Sequence, residues 1–241
     1  MIRHTFTFDT VHSEDYGVYI SGDAVFDAPV KEYEMISIPG RNGDLAVYGN
    51  RFENIEVNYP AFIFKEFKAN IQGLRNELLS RTGYQRIADT YHPDEFRLGV
   101  YQGGLEVDPV QIVTAGEFDI TFNCKPQRFL TAGETEQVFT EDGEITNPTL
   151  FESRPLLIIE GHGTVGIGNN SIVIGGTPTR PVYIDCDIMD AWTVSGTAKV
   201  PYNSYIQYSS YTPPGLKPGA SGITVGTGIT RLRITPRWFR L

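Results

Sequence analysis

The sequence predicts a mainly β protein: an N-terminal β-sandwich or split-barrel-like domain carrying one helix and a projecting hairpin, then a second β-sandwich. Three observations lead there. Apolar and polar residues alternate with period two along most of the chain. Only one segment carries a helical period. Turn formers are abundant, with 25 Gly and 15 Pro in 241 residues, which favours short strands joined by turns.

Taken in order, Tyr16 to Ile20, Tyr33 to Ile38, Asn54 to Tyr59, Phe96 to Gln102 and Glu117 to Asn123 read as strands, each apolar on alternate positions. The helix is expected near 64–81. There Phe64, Phe67, Ile71, Leu74 and Leu78 recur at spacings of three and four, with Lys, Arg and Glu opposite. Gly83 is placed to stop it. These elements make a first domain over 1–130. The stretch 131–147 is acidic and poor in aliphatics, with five acids and no base between Glu134 and Glu144, and is expected as a linker or edge segment. From 148 to 241, LLIIE, NSIVIGG, RPVYIDCDI, SGITVGTG and RLRITPRWF are short strands with glycine turns and no helix, the pattern of a small β-sandwich. A proline- and tyrosine-rich loop is expected from Pro201 to Pro218.

Charge narrows the function classes. The formal net charge is −9, which opposes a protein built to grip phosphate backbones. The acidity is uneven. Met1 to Leu130 hold 12 basic and 19 acidic residues, whereas Arg231 to Leu241 hold four arginines and no acid. Cys124 and Cys186 are far apart and form no CxxC, so two reduced, buried thiols are expected. MIRHTFTFDT lacks the apolar core of a secretory signal, and nothing approaches the roughly 20 apolar residues of a membrane span. The expectation is a soluble chain that is not exported by such a signal.

Each chemical motif fails on its context. EGHGTVGIG contains a literal GxGxxG at Gly161, Gly163 and Gly166, but that fingerprint needs a helix after the third glycine. Here NNSIVIGG follows, a strand, so the motif reads as a glycine-rich hairpin. His4, His12, His92 and His162 are scattered without metal-ligand spacing, and no GxSxG is present. No catalytic residue, cofactor or metal site is expected. Aromatic residues crowd the second domain, and exposed rings stack on sugars. Trp192, Tyr205, Tyr208 and Tyr211 are therefore candidate carbohydrate contacts, against the alternative that the tyrosines of YNSYIQY pack one face of a strand.

One loop stands apart. In ISIPGRNGDLAVYG, Asn42-Gly43 is a strong signal for a type I′ hairpin turn, because both residues accept positive φ. Pro39, Gly40, Arg41, Asn42, Gly43, Asp44 and Leu45 are then expected at the end of a projecting arm, with Arg41 and Asp44 placed to pair across the turn; were the protein a ring subunit, this arm would be the candidate inter-subunit contact.

Four features in order resemble the distal tail protein (Dit) family of long-tailed, non-contractile bacteriophages and prophages. They are IPGRNGDL; the helix followed by GYQRIADTYHPDEFRLGVY; EFDITFNCKPQRF; and a terminal region with NPTLFESRPLLIIEGHG, VYIDCDIMDAW and RITPRWFRL. The resemblance covers nearly the whole chain. It implies an N-terminal domain forming a homo-hexameric ring and a galectin-like C-terminal sandwich projecting outward. The implied partners are the tail tube protein and tail-tip, tail-lysin or receptor-binding proteins, and the location is the tip of the virion tail, after synthesis in the host cytoplasm. DNA would pass through such a ring without sequence-specific binding. The other classes are a carbohydrate-binding protein for host attachment and, less favoured, a cell-wall glycan hydrolase.

Overall fold

A computed structural model describes residues 3–21, 28–64, 66–105, 107–110 and 115–241. The chain divides into two compact units, Met1–Arg128 with Leu241, and Phe129–Arg240.

The first unit is organised by two long strands whose alternation is near complete. In Ile55–Phe64, Ile55, Val57, Tyr59, Ala61 and Ile63 are buried while Glu56 and Asn58 are exposed. In Ala115–Leu130, Phe118, Ile120, Phe122 and Cys124 are buried, with Glu117, Asp119 and Thr121 outward. The two strands pair antiparallel, Ile120 opposite Tyr59 and Phe122 opposite Val57, so both apolar sets face one side. Around them the sheet runs Val11–His12, Phe6–Phe8, Gln85–Asp89, Glu95–Tyr101, Ala115–Leu130, Ile55–Phe64 and Val18–Ile20. It curls into a half-barrel.

Helix α1, Phe67–Ser80, lays Phe67, Ile71, Leu74 and Leu78 into this core. Phe64, expected at the head of the stripe, ends the preceding strand instead, and its side chain lies outside the described residues. Nor does Gly83 cap the helix. Arg81 already leaves it in extended geometry, and Gly83, with φ of 72°, lies two residues further on. Arg81 secures that end by donating to Glu77 Oε2 at 2.7 Å and to Thr10 Oγ1 at 3.1 Å. The expected strand Tyr16 to Ile20 is shorter than its pattern. Ser13–Tyr16 is a 3-10 turn closed by Gly17 in the left-handed region, φ 61°, which leaves Val18–Ile20 as strand.

The second unit is a β-sandwich. One sheet has the order Gln137–Phe139, Ile229–Thr235, Leu156–Gly161, Val182–Asp185, Asp190–Ser195, Ala198–Pro201. The other runs Gly143–Asn147, Gly219–Val225, Gly163–Ile167, Asn170–Ile174, Ile206–Tyr208. Leu157, Ile159, Ile184, Leu232 and Ile234 from the first sheet meet Val165, Ile167, Ile172 and Ile174 from the second in one buried cluster. The acidic stretch 131–147 supplies an outer strand to each sheet, Gln137–Phe139 and Gly143–Asn147. The glycine motif is a chain crossing: Gly161 and Gly163 have φ of 105° and 135°, and a side chain at either would strike the backbone carbonyl of Gly228 or Thr227. No helix follows, and Gly163–Ile167 turns directly into Asn170–Ile174.

An ion pair fastens the end of this sandwich. Arg237 donates from Nη1 to Asp185 Oδ1 at 2.7 Å and from Nη2 to Oδ2 at 2.9 Å. Burial pushes the Asp185 carboxyl up, but the hydrogen bonds and charge of Arg237, with the backbone of Asp187 and Ile188, outweigh it and hold the group below its ordinary value. A carboxyl lowered on folding contributes stability above its unfolded pKa of about 3.9 and loses it as pH falls through the folded value. Asp185→Asn is expected to cost about 1.5–3 kcal/mol at neutral pH and progressively less below about pH 4. Urea unfolding of wild type and variant across that range measures it; a pH-independent difference would exclude the carboxylate as its source.

Candidate functional site

The arm is the first candidate. Lys31–Ile36 pairs antiparallel with Leu45–Phe52 in a two-stranded sheet that joins no other strand among the described residues. Opposed pairs are Tyr33 with Tyr48, Glu34 with Val47, Met35 with Ala46 and Ile36 with Leu45. Alternation therefore puts Tyr33, Met35, Ala46 and Tyr48 on one face, and Glu34, Ile36, Leu45 and Val47 on the other. The rings of Tyr33 and Tyr48 lie 5.2 Å apart. Tyr33, Met35, Ile36, Leu45, Val47 and Tyr48 are 37–58% exposed. An isolated hairpin is marginal in water, and apolar residues on both of its faces mark it for cover.

The turn differs from the sequence expectation. Residues 37–44 link the strands, and the sharp reversal is at Pro39-Gly40, where the Arg41 N–H donates to the Ile38 carbonyl at 3.1 Å. Proline fixes φ at the first central position and Gly40, at φ 77°, takes the second, which defines a type II turn. Gly43 has φ of 79°, but Asn42 is not in the positive-φ region, so no type I′ turn forms at Asn42-Gly43. With eight residues to span, the chain has no need of a two-residue reversal. Among the described residues Arg41 and Asp44 make no ion pair with each other, whereas Arg51 Nε lies 3.0 Å from Glu32 Oε2 in an exposed pair.

The aromatic set of the second unit splits. Trp192 is buried, stacked on Tyr183 at 5.6 Å with Lys199 Nζ 4.0 Å from its ring centre. Tyr208 packs against the sandwich core, and burial above all pushes its phenol up to about 12. Neither presents a free face to a sugar. Tyr211 is fully exposed and contacts no other ring among the described residues. Tyr205 is half exposed, and its ring sits 4.8 Å from that of Tyr202. The two share a pocket of about 380 Å³ with Gly176, Thr177, Pro178, Thr179, Arg180 and Thr193.

That pocket was hidden in the sequence because the loop expected from Pro201 to Pro218 is partly regular. Asn203–Tyr205 is a 3-10 turn and Ile206–Tyr208 a strand. Residues three apart eclipse on a 3-10 turn, which brings Tyr202 and Tyr205 together, while strand geometry sends Tyr208 to the core. The spacing YxxY carries this signal, because residues three apart meet on a 3-10 turn and fall on opposite faces of a strand.

Other titratable groups serve the cores. Tyr59 donates to Asp89 Oδ2 at 2.7 Å, and burial, then Asp89, raises its phenol well above the usual value. Cys124 and Cys186 are free and buried, and burial pushes both thiols up to about 12, so neither is poised as a nucleophile. Among the described residues no group of three or more His, Cys, Asp or Glu is arranged to hold a metal ion. No described helix is long and apolar enough to cross a membrane.

The architecture has a clear counterpart among solved structures. The SPP1 Dit (gp 19.1) protein, a hub of the adsorption apparatus in phages infecting Gram-positive bacteria, superposes with a TM-score of 0.68 at 16% identity, over 99% of both chains. This chain has the Dit fold. Chains of the phage P2 baseplate in its activated conformation share it more distantly. The calcium form gives a TM-score of 0.53 at 10% identity, over 97% of this chain and 98% of that one. The strontium form gives 0.51 at 9%, over 95% and 97%. No protein-family model matches the chain, and no curated protein matches it in sequence.

Proposed function

We propose that this chain is a structural hub protein of a phage tail, forming a ring, with six subunits, at the distal end of the tail tube and joining it to the tail-tip or baseplate proteins. The observation that carries this reading is the end-to-end match to the SPP1 Dit hub, which includes both units and leaves almost nothing of either chain over. The arm supports it, because a hairpin with exposed apolar residues on both faces suits a subunit covered by its neighbours. The role is architectural and non-enzymatic. Its partners are further copies of itself, the tail tube protein and the tip, tail-lysin or receptor-binding proteins, and its place is the virion tail. The acidity of the first domain faces the lumen, where it keeps passing DNA from adhering.

Light scattering on the purified protein tests the reading. A ring of six 26.9 kDa subunits has a mass of about 161 kDa. The expected result is that particle, formed either alone or on mixing with the tail tube protein. A chain that stays at 26.9 kDa in both conditions would overturn it. Of the aromatic residues considered as sugar contacts, Trp192 is buried and Tyr208 packs against the core of the second unit, which removes those two from that role.

A further inference from the structure

We propose that the pocket between Tyr202, Tyr205, Arg180 and Thr193 is a binding subsite for a single pyranose sugar, neutral or carrying one negative charge. It is a separate property of the second unit and does not rest on the hub reading.

The pocket is preorganised. Its tyrosine turn is tied to both sheets: the Tyr202 N–H donates to the Ala191 carbonyl at 2.7 Å, and the Tyr205 carbonyl accepts from the Gly175 N–H at 2.8 Å. Asn203 reinforces the first tie, accepting from the Ala191 N–H at 2.8 Å and donating to Asp190 Oδ1 at 2.7 Å. The Tyr202 hydroxyl donates to the Gly175 carbonyl at 2.9 Å. Gly176 makes the ring pair possible. At φ 71° it has no side chain, and a Cβ there would fall 2.8 Å from the Tyr202 hydroxyl and 3.3 Å from the Tyr205 ring. These ties extend the strand ladders at Trp192–Pro201 and Ile174–Ile206 and hold the pocket preformed, and a preformed site loses little entropy on binding.

The lining fits a sugar. A pyranose presents a face of C–H bonds and an edge of hydroxyls. The half-exposed Tyr205 ring, backed by Tyr202, gives the apolar platform for the face. Thr177, Thr179 and Thr193 carry hydroxyls that make no hydrogen bond among the described residues, and each can both donate and accept. Arg180 is held by one bond, Nη1 to the Val194 carbonyl at 2.7 Å, which leaves other guanidinium N–H groups for ligand oxygens. It is the one charged residue of the lining, so an anionic sugar is accepted and a cationic one disfavoured. The volume of about 380 Å³ is at the small end of ligand sites, enough for one ring with its solvent but not for an extended chain.

The test is an amide NMR titration of the full-length protein with the methyl glycosides of glucose, galactose, mannose and N-acetylglucosamine, and with galacturonate. At least one is expected to give saturable shifts confined to the amides of residues 175–180, 193 and 202–205. Tyr205→Ala should weaken that ligand by about tenfold or more, whereas Tyr205→Phe, which keeps the ring, should stay within about threefold. Thr193→Val, which keeps the shape and removes a hydroxyl, should weaken binding even if Tyr205→Ala proves poorly folded. Absence of saturable shifts with all five sugars, or equal binding by folded Tyr205→Ala or by Thr193→Val, would overturn the proposal.

Discussion

Phe122→Ala is expected to remove about 3–5 kcal/mol from the first unit while leaving the second unit's unfolding where it was. Phe122 is wholly buried, and its ring meets four others: Phe6 at 5.7 Å, Phe8 at 5.1 Å, Tyr59 at 6.1 Å and Tyr101 at 5.8 Å. These come from three other strands of the sheet, so no single side chain can relax into the space, and the cavity adds to the lost transfer energy. A change of that size moves a midpoint by on the order of ten degrees in a domain of this size. The second cluster, built on residues such as Leu157, Ile167 and Leu232, shares no member with the first. Calorimetry should therefore show two transitions, with the variant lowering only one. If both fall together, the two units unfold as one, and the division at Arg128/Phe129 has no thermodynamic meaning.

How far the sequence carries depends on which physics a segment obeys. Strands with one dry and one wet face announce themselves: Glu117 to Asn123 alternates without a break, and it lies inside a strand running to Leu130. The helix stripe from Phe67 to Leu78 is equally plain, since four buried positions at helical spacing allow little else. Turns are harder, because several candidates compete and only the distance to be spanned decides. Both Pro39-Gly40 and Asn42-Gly43 are good turn pairs, and the pairing of Ile36 with Leu45 leaves room for the first to act. The aromatic site was least legible. Trp192 and Tyr205 have similar composition around them, yet one is stacked beneath Lys199 and the other lines a pocket. That difference is set by which strand pairs with which, and alternation carries no information about it.

Replacing Tyr33, Met35 and Tyr48 together by serine is expected to abolish ring formation and leave the monomer folded. This is the sharpest test of the arm. Deleting Pro39 to Tyr48 would remove half of Leu45–Phe52 and leave Lys31–Ile36 without a partner, so loss of assembly would be ambiguous. The triple substitution keeps both strands. It changes side chains on one face of the hairpin, none of them a member of either buried cluster, so the cores keep their stability while the Tyr33–Tyr48 ring contact is lost from the hairpin itself. In the proposed ring the same side chains would be covered by a neighbouring subunit, and fully burying one is worth about 1.5–3 kcal/mol relative to exposure. They are already half covered by the hairpin, so about 1 kcal/mol each is at stake, or roughly a hundredfold in each subunit contact. A closed ring repeats that loss at every interface, so the assembly falls apart well before the single contact would. Sedimentation should find the variant as a monomer with an unchanged thermal midpoint. A variant that still forms the six-subunit particle would show that the arm does not make the subunit contact.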